Sequence, residues 1–271
     1  MLGIIGVGAM GGAIARGVLE SGEVQAEELV VAALPVTMAT DFASDTGARA
    51  AASNAELVRE AGQDAIVIVA VKPHHIGGVL DEIAEDAREN GTVIVSVAAG
   101  TPIASLQEHL APGQPIVRVM PNVAAAVGAS MTALAANDAA TGRLPDVRRI
   151  FEAIGAVEVL AEKDFSAFTA LAGSSPAFTF EYIDALARAG VNNGLTKAGA
   201  VRIAAQAVAG AAQLLLARLD DGATPASLAD AVQSPGGTTV AGVVELEQAG
   251  FGAAIVRGAQ ATIDRDRELQ G

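Results

Sequence analysis

The chain has 271 residues, 51% of them hydrophobic but only 3% aromatic, with no Cys, no Trp and a formal charge of −14. That acid excess disfavours a surface for nucleic acid or anionic membrane, and the lack of Cys excludes disulfides, thiolate nucleophiles and the usual zinc sites. The length suffices for one large core or two modest ones, built here from Ala, Val, Ile and Leu. Only Lys72, Lys163 and Lys197 are lysines. Acidity with scarce Lys fits a salt-rich cytoplasm, and equally a codon bias toward Ala, Gly and Arg. No signal peptide precedes the first strand. The uncharged stretch 119–137 is broken by Pro121, Asn122 and Gly128 and does not read as a membrane span, so a cytoplasmic protein is expected.

Residues 2–7 read as a buried parallel strand that runs into Gly6-Val7-Gly8-Ala9-Met10-Gly11, a G-x-G-x-x-G pattern opening a helix over about 9–21. In such a loop the first glycine permits the tight turn, the second admits a pyrophosphate, and the third lets helix and strand pack closely. Residues 28–34 read as a second strand. It ends in Ala32-Ala33-Leu34-Pro35, with neither the acid of an NAD site nor the base of an NADP site. Residues 35–52 read as a loop, 54–61 as a short helix and 64–71 as a strand buried on both faces. Pro73 then launches a helix to residue 89. Strands at 92–98 and 114–120 follow, with a helix opened by Thr101-Pro102 between them. A strand at 130–136, a helix near 143–155 and a strand at 157–160 complete this half. The three strand endings Lys72-Pro73, Ala99-Gly100 and Pro121-Asn122 are expected to line one crevice with the glycine loop, because open α/β sheets bind ligands outside the carboxyl ends of their strands.

From residue 164 the β signal stops, and 164–173, 175–190, 196–219, 225–233, 238–250 and 251–269 read as helices, with Thr196 and Ser175 as N-caps. Between Ala200 and Ala217 the only charge is Arg202. A helix apolar nearly all round is a central, buried one, so this half is expected to bury itself against a second subunit. His74, His75 and His109 without any Cys make a poor metal set, and no metal site is expected. Two hydroxyl-rich turns, Gly173-Ser174-Ser175-Pro176 and Ser234-Pro235-Gly236-Gly237-Thr238-Thr239, each open a helix. The second is a natural cradle for a carboxylate.

With Ala70-Val71-Lys72-Pro73, Ala98-Ala99-Gly100, Met120-Pro121-Asn122 and Ala177, these motifs stand in an order that resembles the pyrroline-5-carboxylate reductase family over essentially the whole chain. The resemblance implies an α/β Rossmann-like domain over 1–162 and an all-α substrate-binding and dimerisation domain over 163–271, often assembled as a decamer of five dimers. It implies hydride transfer from NADPH, or NADH, to a cyclic imino acid, giving proline. The cofactor residues it implies are Gly6, Val7, Gly8, Ala9, Met10, Gly11, Asn54, Ala70, Val71, Lys72, Pro73, Ala98, Ala99, Gly100 and Asn122. The implied substrate residues are Ser234, Gly236, Gly237, Thr238 and Thr239, with Thr239 as the catalytic hydroxyl at the ring nitrogen. Two departures bear on the cofactor side: Val123-Ala124 stands where the family commonly has Thr-Pro, and Leu34-Pro35 where it usually has a polar or basic residue. The alternatives are a nucleotide-binding regulator without turnover and a β-hydroxyacid dehydrogenase, for whose catalytic lysine Lys197 lacks the setting.

Overall fold

The computed structural model describes residues 1–270. In chain order the first part runs β1 (Leu2–Ile5), α1 (Ala9–Glu20), β2 (Leu29–Ala32), α2 (Val36–Thr46), β3 (Arg49–Ala50), α3 (Asn54–Ala61), β4 (Ile66–Val69), α4 (Pro73–Glu89) and β5 (Val93–Ser96). It continues with α5 (Ile103–Gln107), β6 (Ile116–Met120), β7 (Ser130–Ala136), α6 (Leu144–Glu152) and β8 (Gly155–Val159). The eight strands form one sheet in the order β3-β2-β1-β4-β5-β6-β7-β8, parallel throughout except where β7 runs against β6. In register, Ile4 lies between Val31 and Ile68.

Both faces of the central strands are covered, and β1, β2 and β4 carry no polar side chain for that reason. Ile4, Val31, Ile68, Val95 and Val117 point to one face, under α1 and α6, whose Ile14, Val18, Val147, Ile150 and Phe151 complete that layer. Their sequence neighbours Ile5, Val30, Val67, Val69 and Ile94 point to the other, under α3 and α4 with Leu57, Leu80 and Ile83. Each such fully buried aliphatic side chain stabilises the fold by roughly 1.5–3 kcal/mol. Arg118 on β6 is buried as well; its Nη1 donates to Glu162 Oε1 at 3.0 Å and its guanidinium lies 4.6 Å from the Phe165 ring centre.

Two expectations are corrected here. Residues 35–52 are not a loop: they form α2 and the edge strand β3. α2 buries only Ala39 and Phe42, too few apolar positions to show a period. Ser175 is not an N-cap, because α7 (Phe165–Phe168) passes through the wide helical turn Thr169–Ser174 directly into α8 (Ser175–Asn192). Ser174 is already in helical conformation and no side chain caps the junction.

The chain divides into two compact units, Met1–Gly173 with the C-terminal residues from Thr262, and Ser174–Ala261. The second begins with α8 and carries α9 (Lys197–Leu216), α10 (Pro225–Ala231), α11 (Thr238–Gln248) and much of α12 (Phe251–Gln270). Thr196 does cap α9, its Oγ1 accepting from the Gly199 N–H at 3.2 Å. Among the described residues of this unit the buried apolar side chains are Ala187, Ala200 and Ala204 alone. Within the single chain α9 is left uncovered, in line with the expectation that a second subunit buries it: Ile203, Leu214 and Leu216 are exposed, as are Phe180 and Val256 on other helices and Val232 just after α10. By length and composition α9 is also apolar enough to cross a membrane.

Candidate functional site

β1 ends at Ile5, and three residues carry the chain into α1. Gly6 makes the reversal at φ +96°, where an added Cβ would lie 2.7 Å from the Ala70 carbonyl oxygen. Gly11 is pressed against the same turn: a Cβ there would fall 1.8 Å from the Gly6 carbonyl oxygen. Gly8 is the opposite case, with nothing within 4 Å of its Cβ position. Two glycines thus let backbone approach backbone, and the middle one keeps space open. α1 starts at Gly8 with no side-chain cap, so its first-turn N–H groups and the positive end of its dipole are available to an anion.

That opening belongs to a cavity of about 940 Å³ at the carboxyl ends of β1, β2, β4, β5 and β6. Gly6, Val7, Gly8, Ala9, Met10, Asn54, Ala70, Val71, Lys72, Pro73, Ala98 and Ala99 all line it, together with Met120, Pro121 and Val123. Three residues of the expected cofactor set are placed otherwise. Gly11 packs against the loop; Gly100 turns the chain at φ +70° after Ala99. Asn122 builds local structure, its Oδ1 accepting from the Ala124 N–H at 3.1 Å and its Nδ2 donating to the Ala172 carbonyl at 3.0 Å. The volume, the uncapped helix start and the space at Gly8 suit a dinucleotide with its pyrophosphate on the loop.

Residues of α4 that the sequence reading did not single out also line the cavity. His75, Gly78, Val79 and Glu82 recur at i, i+3, i+4 and i+7, so one face of α4 forms a wall two turns long. Helical spacing beyond Lys72-Pro73 was the signal that could have found them. Glu82 Oε2 accepts from Asn54 Nδ2 at 2.7 Å and Oε1 from the Ala55 N–H at 3.4 Å, which closes the start of α3. Ala33, Leu34 and Met38 supply the wall on the β2 side, and Leu34 is almost fully exposed.

In the helical unit, the turn before α11 is built from its own residues. The Gly237 N–H donates to the Ser234 carbonyl at 2.9 Å, and Gly236 takes φ +70°. A Cβ on Gly237 would lie 2.3 Å from Ser234 Oγ, so the serine side chain folds over that glycine. Gly237 caps α11 without a side-chain hydrogen bond, and Thr238 and Thr239 are its first two residues, both exposed. Ser234, Gly236, Gly237, Thr238 and Thr239 thus bring three hydroxyls and the free N–H groups of a helix start together. Lys197 is engaged elsewhere: its Nζ pairs with Asp184, and that contact, with Arg188 beside it, holds the Asp184 carboxyl below the usual carboxylate range.

A sheet ordered β3-β2-β1-β4-β5-β6, with a glycine loop and a cavity at its switch point, defines a dinucleotide-binding domain of the dehydrogenase type, here followed by a helical region. Residues 1–100 match the family described as NADP oxidoreductase coenzyme F420-dependent, and residues 162–269 match pyrroline-5-carboxylate reductase dimerisation. The pyrroline-5-carboxylate reductase of Methanosarcina acetivorans is 35% identical over 99% of this chain and 97% of its own. Among solved structures, the pyrroline-5-carboxylate reductase of Coxiella burnetii has a TM-score of 0.92 at 29% identity, covering 100% of this chain and 98% of that one. The pyrroline carboxylate reductase of Plasmodium falciparum with NADP bound has 0.85 at 28%, with the same coverage. The chain belongs to the pyrroline-5-carboxylate reductase family.

Proposed function

We propose that the protein reduces the C=N bond of 1-pyrroline-5-carboxylate, giving L-proline. The observation that carries the proposal is the turn before α11, where uncapped N–H groups and the Ser234, Thr238 and Thr239 hydroxyls converge at a helix start, in a chain that also holds a cavity of about 940 Å³ at the glycine loop. A bound NADPH or NADH supplies the hydride; the relative with NADP bound supports NADPH. Gly6, Val7, Gly8, Ala9, Met10 and Gly11 form the pyrophosphate loop, Asn54 stands at the adenosine end, and Ala70, Val71, Lys72, Pro73, Ala98 and Ala99 flank the dinucleotide. Gly100 and Asn122 shape the loops that follow.

The substrate carboxylate is held by the Thr238 and Thr239 N–H groups with the Ser234 and Thr238 hydroxyls, while the Gly237 N–H closes the turn onto the Ser234 carbonyl. Such charge-assisted bonds fix the ring's orientation, and positioning of this kind contributes roughly 7–11 kcal/mol of a bimolecular barrier. The Thr239 hydroxyl is directed at the ring nitrogen. Hydride adds more readily to a protonated iminium, and a hydroxyl is too weak an acid to generate one alone. Thr239 therefore orients the nitrogen, while the pre-protonated imine or a water provides the proton.

The helical unit closes its exposed apolar faces against a second copy of this chain. The matched dimerisation family and the near-absence of a core within one copy support this. It gives α9 a protein neighbour rather than lipid, consistent with a cytoplasmic enzyme, and five such dimers would form the decamer. The test of the activity is nicotinamide absorbance with 1-pyrroline-5-carboxylate, run beside a 3-hydroxy acid with the oxidised nucleotides. Imine-dependent oxidation of NADPH or NADH is expected. Saturable nucleotide binding without oxidation indicates a regulator, and oxidation of the hydroxy acid indicates a β-hydroxyacid dehydrogenase.

A further inference from the structure

We propose that Glu82 shifts the nicotinamide preference of this chain toward NADH in a site that takes either nucleotide, accepting a hydrogen bond from a ribose 2′-hydroxyl and repelling a 2′-phosphate. The inference uses the reductase reading only for the dinucleotide's direction across the sheet. With the pyrophosphate on the β1–α1 loop, the adenosine half of a dinucleotide extends toward β2 and β3, which makes the β2-side wall its ribose site. That wall is formed by Ala33, Leu34 and Met38; Glu82 of α4 reaches its margin through its hydrogen bonds to Asn54 and Ala55 at the start of α3 and brings the one charge there. Lys72, the cation lining the cavity, precedes α4; Glu82 stands roughly 14 Å further along the helix at 1.5 Å per residue. His75 lies within the first turn of α4, at the Lys72 end. The arginines of α3 and β3 are already paired: Arg59 with Asp86 at 2.8 Å and Arg49 with Glu60 at 2.5 Å.

Glu82 is held in place for this task. Each of its oxygens accepts one hydrogen bond, from Asn54 Nδ2 and from the Ala55 N–H. A carboxylate has about four acceptor positions, so capacity remains for a ribose hydroxyl. Acidic residues at the end of a second strand read the ribose in many dinucleotide sites. Here that strand ends in Ala32-Ala33-Leu34, and the carboxylate reaches the same wall from α4.

The experiment is titration of NADH and NADPH by nicotinamide fluorescence, without imine, on the parent and on Glu82→Gln. Gln removes the charge, keeps the Ala55 N–H through its Oε1, and meets Asn54 once that amide turns so that the Gln Nε2 donates to Asn54 Oδ1. The ratio Kd(NADPH)/Kd(NADH) should fall by roughly five- to tenfold in the variant, the scale of one nearby charge acting on a phosphate at an effective dielectric constant near that of a protein surface. An unchanged ratio in a variant that melts like the parent makes Glu82 only the cap of α3 and overturns the inference. The parent alone gives a second reading, independent of whether the variant folds. Raising salt should lower the same ratio, because it screens a repulsion. A ratio that rises with salt places a cation at the 2′ position and overturns the inference too. Neither readout needs turnover, so a protein that binds both nucleotides with the expected split but reduces no imine would refute the activity and leave Glu82's role standing.

Discussion

Gly8 and Gly11 stand three residues apart, and adding one methyl group to each should do opposite things. In Gly11→Ala the new Cβ starts 1.8 Å from the Gly6 carbonyl oxygen and 2.9 Å from the Ala70 Cβ. A relaxed carbon–oxygen contact is about 3.3 Å, so α1 has to move away from β1 by more than an ångström or distort the Gly6 turn. Overpacking costs about 1–3 kcal/mol, and a backbone neighbour with no rotamer to escape into puts this case near 3. Replacing Gly by Ala inside a helix returns about 1 kcal/mol. The net loss is about 2 kcal/mol, or about 4–8 °C in Tm for a domain of this size. Gly8→Ala meets nothing within 4 Å, and at φ −69° and ψ −162° alanine fits the backbone. Its stability should stay within about 1 kcal/mol of the parent. Its methyl stands where a pyrophosphate reaches α1, and losing one charge-assisted hydrogen bond of about 1.5–3 kcal/mol weakens NADPH at least about tenfold. The assay is urea unfolding at one fixed protein concentration, beside fluorescence titration of NADPH. A Gly11→Ala protein as stable as the parent, or a Gly8→Ala protein with parental affinity, would refute the assignment of packing to one glycine and approach to the other.

Thr239→Ala should lower kcat about a hundredfold while leaving the NADPH dissociation constant within about twofold; unchanged turnover removes Thr239 from the chemistry. Glu162→Gln leaves Arg118 buried beside a neutral partner and should cost about 2–4 kcal/mol in urea unfolding, with a smaller cost excluding a structural role for that pair. Asp146 is held below its ordinary 3.8 first by the hydrogen bond from Arg143 and then by Arg149. Its contribution is therefore present above that value and lost as pH falls through the lowered one. Asp146 is partly exposed, so Asp146→Asn should cost under about 1 kcal/mol at neutral pH, and the difference should vanish in acid. A gap that persists in acid would show that the effect is not ionic.

The sheet was legible because its central strands are buried on both faces and therefore nearly all apolar, with Ser96 in β5 and Arg118 in β6 as the polar exceptions. The crevice followed from the same logic: glycine loop, Lys72-Pro73, Ala98-Ala99 and Pro121 line one cavity because each ends a parallel strand at the same edge. α2 escaped because a helix touching the core through Ala39 and Phe42 alone carries almost no apolar period. Ser175 looked like an N-cap because Ser-Pro usually begins a helix; here the preceding turn is already helical, which only the backbone of residues 169–174 reveals. The apolar run from Ala200 to Ala217 pointed to cover from a second chain, and one copy does leave Ile203, Leu214 and Leu216 exposed. Helical spacing places Glu82 on the cavity face of α4, but its pairing with Asn54, 28 residues away across a helix–helix contact, carries no mark in the sequence.

The central claim is that hydride passes from the nicotinamide to the imine carbon. Deuterium at the transferable position of NADPH, with 1-pyrroline-5-carboxylate and the protein, tests it by mass spectrometry and NMR of the product. The account predicts L-proline carrying one deuterium, on the ring carbon that had been doubly bonded to nitrogen. Proline without deuterium at that carbon, or labelled nucleotide left unconsumed while bound, would contradict it.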